Sequence, residues 1–166
     1  MVAFKITEIR DFTQKLFIGD TFDLFEVSFA EFQTAYHFRL DGQLNPKYYD
    51  TEELKALREE GRELALWKEV KPLCFQIVKG RRTPVFFRIA LSPTKKIPAL
   101  EAVIDQIKGS GIVSGLGIRF EFSENGITGA TGVSLSSFSP DRSPEYLWDE
   151  SALSFLKSSQ IMTEKL

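Results

Sequence analysis

The chain has one cysteine, one histidine and two methionines in 166 residues. A single thiol excludes a disulfide framework, and one histidine with one cysteine is too few for a zinc site built from those ligands in one chain. Two methionines leave no Met-rich redox site. Charge of one sign is also lacking: 21 Lys and Arg stand against 23 Asp and Glu, a net charge of −2. The balance holds in both halves, so there is no basic arm or acidic tail, and polybasic membrane or histone-like binding is excluded. Long hydrophobic runs are absent as well. The longest stretch without a charge, Asn125 to Pro140, is mostly Gly, Ser and Thr and cannot span a bilayer. Lys5, Glu8, Arg10, Asp11, Lys15 and Asp20 interrupt the first twenty residues, which leaves no room for the apolar region of a signal peptide. A cytoplasmic location without membrane association is the expectation.

What is present is a large apolar fraction, 43%, in a chain long enough to bury about 70% of its unfolded surface in one core. Fifteen Phe against four Tyr and two Trp favour rings without a polar handle, suited to a dry interface between helices and a sheet.

Apolar periodicity divides the chain into elements. Val2 to Ile6 reads as a strand, and Ile9, Phe12 and Leu16 recur at helical spacing after Thr7, a candidate N-cap. The period then becomes two. Phe25, Val27 and Phe29 share one face, and after a phase shift Phe32, Thr34, Tyr36, Phe38 and Leu40 share one face up to the Asp41-Gly42 turn, which predicts two strands divided at the shift. Thr51-Glu52-Glu53 opens a helix with an acidic first turn, carrying Leu54, Leu57, Leu64 and Trp67, with Gly61 as a possible break. Leu73, Phe75 and Ile77 alternate with Cys74, Gln76 and Val78, which predicts a central strand apolar on both sides.

The second half runs in the same order. Val85 to Leu91 is a predicted strand, and Ile97, Leu100, Val103, Ile104 and Ile107 form a helix face with Pro98 in its first turn. Leu116 to Phe122 and Ile127 to Phe138 flank Asn125-Gly126, the strongest hairpin signal in the chain. Ser143-Pro144-Glu145 opens a last helix, and Ile161 begins a last short strand. Residues also pair between the halves: Phe4-Lys5-Ile6 with Phe87-Arg88-Ile89, and Phe25-Glu26-Val27 with Phe120-Glu121-Phe122. These matches predict an α+β single domain over residues 1–166, made of two βαββ(α)β repeats, about 1–83 and 84–166, with antiparallel sheets covered by helices.

A repeated strand–helix–three-strand unit resembles one domain of a DNA polymerase sliding clamp, with an extra helix before each final strand. The segment Ile118 to Leu135, turning at Ser123-Glu124-Asn125-Gly126, is similar to a clamp hairpin. The resemblance implies a clamp-like architecture only. A clamp's inner helices carry cations for the phosphates. Here Arg10 and Lys15 are offset by Glu8 and Asp11, and Lys108 by Glu101 and Asp105, with Lys95 and Lys96 only at the helix start. Encirclement of DNA is therefore disfavoured. Separately, Cys74-Phe75-x-Ile77-x-Lys79-Gly80-x-x-Thr83-Pro84, Thr131-Gly132-x-Ser134 and Trp148-Asp149 resemble a family of bacterial proteins with no assigned activity. That resemblance transfers no site residues.

Candidate chemistry is sparse. Lys79-Gly80-Arg81-Arg82-Thr83 lies between two predicted strands, and its donors can hold a phosphate; as a hairpin turn it is simply a solvated tip. The glycines at 109, 111, 115 and 117 follow a helix and precede a strand, the reverse of a dinucleotide loop, and read as a flexible connector. His37, the only histidine, is predicted to point away from the face of Tyr36 and Phe38 and has no partner of its own kind. Cys74 reads as a small buried hydrophobe in a strand. Asp20 with Asp23, and Glu145 with Asp149, are carboxylate pairs that read more simply as loop and first-turn chemistry. Trp67 and Trp148 are of a type enriched among interface anchors, and read more simply as anchors of helices on a sheet.

No catalytic set converges, and no metal or cofactor is expected. The leading expectation is a non-enzymatic module that binds another protein through a sheet edge or an interhelical groove. One alternative is a DNA-associated factor using Lys79, Arg81, Arg82, Lys95 and Lys96. Another is a carboxylate-dependent enzyme acting on a small polar substrate.

Overall fold

The computed structural model describes all 166 residues as an α+β fold. Its strands are β1 (Ala3–Ile6), β2 (Glu26–Gln33), β3 (His37–Asp41), β4 (Phe86–Ser92), β5 (Val113–Ser123), β6 (Gly126–Leu135) and β7 (Thr163–Lys165). Its helices are α1 (Ile9–Phe17), α2 (Thr51–Glu59), α3 (Trp67–Val78), α4 (Pro98–Lys108) and α5 (Ser143–Ser158). All seven strands form one antiparallel sheet in the order β3-β2-β4-β5-β6-β1-β7.

Alternation puts the apolar side chains of every long strand on one face. Phe4, Phe32, Phe87, Ile89, Phe120 and Ile127 are buried there, and the helices cover them. Ring contacts tie α1 to the sheet: Phe12 meets Phe120 with centroids 4.8 Å apart, and Phe17 meets Phe87 at 5.6 Å. Trp148 anchors α5 on the sheet as expected, whereas Trp67 ties α3 to α1. The Trp67 indole N–H donates to the Leu16 carbonyl at 2.6 Å, and that of Trp148 to the Gly117 carbonyl at 3.0 Å. Both rings are fully buried. The buried apolar residues form a single cluster, so the chain has one core. The opposite face of the sheet has no helix on it.

Local chemistry sets the boundaries. Asp50 caps α2 by accepting from the Glu53 N–H at 2.8 Å while the Glu53 carboxylate accepts from the Asp50 N–H at 2.9 Å, a complete capping box. Gly61, at φ +66°, then turns the chain in a left-handed conformation that other residues resist.

Four expectations need correction. First, the strand predicted over Leu73–Ile77 is part of α3. Val70, Cys74 and Ile77 follow a helical spacing, and Pro72 inside the helix obscures that pattern in the sequence. Second, β2 runs through the phase shift without ending, because a bulge between Val27 and Phe29 changes which side chains face inward; the turn comes later, at Thr34–Tyr36. Third, Gly115 and Gly117 are strand residues of β5, not a connector. Fourth, the halves are not equivalent. The first lacks its closing strand, and β4 lies between β2 and β5 whereas β1 lies between β6 and β7. A repeat would give β1 and β4 matching neighbours. There is one sheet rather than two, and the clamp-like reading, which needs matching halves, loses its basis.

Candidate binding groove

The α3–β4 connection, Lys79 to Val85, joins a helix to a strand rather than two strands, which corrects the hairpin reading of Lys79-Gly80-Arg81-Arg82-Thr83. Lys79 follows the last turn of α3, its N–H donating to the Phe75 carbonyl at 2.9 Å. Gly80, at φ +150°, then lets the chain swing away from the helix. The swing carries Arg81 and Arg82 opposite α1 and opens a cavity of about 780 Å³ between α1, the end of α3 and the start of β4.

The cavity has two kinds of wall. Its floor is apolar: Phe17 and Phe87 are buried, Phe75 and Phe122 half-buried, and Phe87 and Phe122 stack with centroids 5.2 Å apart. Its rim is cationic. Arg10 from α1 faces Lys79, Arg81 and Arg82, and no carboxylate lines the space. All four cations are exposed, and none of their side chains makes an ion pair or hydrogen bond within the molecule. An uncompensated cationic rim around apolar surface is complementary to an anion attached to an apolar body. Along the sequence Arg10 reads only as a cation offset by Glu8 and Asp11; the packing of α1 beside α3 is what brings it to a loop seventy residues away.

Lys95 and Lys96 do not join this group. They lie beyond the far end of β4, whose seven residues at about 3.3 Å each put roughly 20 Å between the two clusters. Both are also committed elsewhere. Lys95 pairs with Asp105, which holds its ammonium above the usual lysine value, and Lys96 pairs with Glu60 at 2.9 Å, holding that carboxyl below the usual range. The five cations singled out in the sequence therefore split into three free and two neutralised.

The remaining candidates resolve into structure. Cys74 is buried on α3, and burial pushes its thiol up to about 12, so it is not a nucleophile at neutral pH. His37 donates a single bond from Nε2, at 2.7 Å, to the Glu31 carboxylate across the hairpin. Asp23 is held by Lys71, while Asp20 lies outside that pair. Glu145 pairs with Arg142 at 2.9 Å, and Asp149 accepts from the Thr131 hydroxyl and pairs with the α-amino group at 3.0 Å. No three His, Cys, Asp or Glu side chains come together as metal ligands. No helix is long and apolar enough to cross a membrane. A second concavity, of about 540 Å³, lies on the helix-free face of the sheet among Gly115, Gly117, Gly132 and serines, with Arg119 its only charged side chain.

A family described as of unknown function, DUF5721, matches residues 15–164. The chain belongs to that family. The match takes in α3, the α3–β4 connection and the floor of the groove, and leaves Arg10 just outside. No curated protein matches the chain, and no solved structure does. A DUF5721 function must therefore be argued from the groove itself.

Proposed function

We propose that the protein is a non-enzymatic, cytoplasmic interaction module whose groove between α1 and α3 binds an acidic, apolar segment of a partner protein. The observation that carries this reading is the unpaired quartet Arg10, Lys79, Arg81 and Arg82 around a Phe floor with no carboxylate in the wall. An amphipathic helix or extended strand places apolar anchors against such a floor and Asp or Glu against such a rim. Duplex DNA is a poorer fit, since it needs an extended cationic track, and Lys95 and Lys96 are neutralised at the opposite end of β4. A carboxylate-dependent reaction is poorly supported because Asp23 and Asp149 already serve structural partners.

The test is a panel of fluorescein-labelled amphipathic peptides with Leu and Phe anchors and Glu between them, beside the same peptides with Lys for Glu and a labelled DNA duplex. Anisotropy should report saturable binding of acidic peptides that weakens with added NaCl. Arg10→Glu, Arg81→Glu and Arg82→Glu combined should weaken it by at least about tenfold, whereas Lys95→Glu with Lys96→Glu should leave it unchanged. Equal affinity for acidic and basic peptides rejects the reading. Tight binding of the duplex that is lost on changing Lys95 and Lys96 replaces it with the DNA reading.

A further inference from the structure

The sheet ends on one side at β7, only three residues long, and on the other at β3, which has a free edge of five. A three-residue edge is too short to template pairing, whereas β3 offers an edge of ordinary strand length. Every residue of β3 is exposed except the half-buried Leu40, and Tyr36 and Phe38 beside it are exposed aromatics.

The direction of its backbone groups follows from the ladder. The Gln33 carbonyl accepts from Val85 on the β4 side, and the Ser28 carbonyl accepts from Gly42 on the β3 side. Even-numbered residues of β2 therefore bond to β3, and their partners are Phe38 and Leu40. The N–H and C=O groups of His37, Arg39 and Asp41 point away from the sheet.

We propose that this edge pairs antiparallel with β3 of a second copy, about a two-fold axis through Leu40. In that register Arg39 lies opposite the partner copy's Asp41, and Asp41 opposite its Arg39, on the helix-free face. Neither side chain has an ion-pair partner within the chain: Glu31, across from Arg39, is bonded to His37, and Asp41 accepts only from the Gln43 N–H at 2.9 Å. The neighbouring register, with His37 opposite Asp41, stacks two Arg39 side chains face to face and is disfavoured by like charge. Charge thus selects a single pairing that closes on itself, and the two seven-stranded sheets become one. The contact is small beside a standard interface, so the dimer is weak and forms only as the protein is concentrated. The pairing is independent of the groove.

Sedimentation velocity or light scattering from 5 to 200 μM should show the mass rising from 18.9 kDa toward twice that value. Arg39→Asp alone and Asp41→Arg alone should each weaken dimerisation by at least tenfold, because each sets like charges opposite each other. The double variant, Arg39→Asp with Asp41→Arg, should return Kd to within about threefold of the original, with circular dichroism verifying the fold of all three. A protein that stays monomeric at 200 μM overturns the proposal, leaving these charges as guards of the edge. So do single variants that dimerise normally, or a folded double variant that does not recover.

Discussion

The two faces of β6 are made from one ten-residue strand, yet they follow different rules. On the helix-covered face Gly129 is buried against Phe4, and a Cβ placed there would lie 2.3 Å from two atoms of that ring. Three residues on, Gly132 faces the open side, where a Cβ would meet nothing within 4 Å. In composition the two positions are identical. The contrast teaches that space is exhausted on one side of the sheet only, so sequence is strongly specified there and weakly specified on the other. Gly129→Val should therefore cost about 3 kcal/mol or prevent folding, while Gly132→Val should fall within about 0.5 kcal/mol of the parent in urea unfolding. Comparable losses at the two sites would break the comparison.

A smaller effect sharpens it. Trp148→Phe removes the donor to the Gly117 carbonyl under the helices and leaves a void, for an expected loss of about 1–3 kcal/mol. Trp67→Phe, which frees the Leu16 carbonyl, should behave alike. On the open face the pair Arg88–Glu121, 3.0 Å apart and about one-third exposed, should show a coupling under about 1 kcal/mol in a double-mutant cycle with alanine, and less in high salt. A strong Arg88–Glu121 coupling would mean that the open face is more occluded than its exposure indicates.

That asymmetry also explains what the sequence made legible. Strands with one dry face repeat every two residues, so β1, β4, β5 and β6 and the Asn125-Gly126 turn were recognisable from pattern alone. The helix α3 was not, because Val70, Cys74, Phe75 and Ile77 satisfy both periods over a short window and Pro72 argues against a helix. The bulge in β2 left a visible phase shift that reads equally well as a strand end. For the groove, Lys79, Arg81 and Arg82 stood out as a charge run, but nothing along the chain distinguishes them from Lys95 and Lys96. Whether a cation is free depends on which carboxylate folding brings to it. Asp105 and Glu60 reach the second cluster, while no carboxylate reaches the first and Arg10 does.

The smallest expected effect concerns Glu26, whose register partner Ser92 lies on the open face. Burial is the main cause of its carboxyl lying above the ordinary value, with Arg62 and Lys108 nearby pulling the other way. A carboxyl raised in the folded state favours folding while protonated. That contribution is complete below the ordinary glutamate range and is lost as pH rises through the raised value. Glu26→Gln should therefore leave stability unchanged near pH 3 and raise it slightly at pH 7. Measuring variant against parent at each pH cancels the carboxylates whose values are lowered, such as Glu60 and Glu145, which lose stabilisation in the opposite direction, as pH falls. A variant less stable than the parent at pH 7 would mean that attraction to Arg62 outweighs burial, and that this corner of the open face is held by charge rather than merely tolerating it.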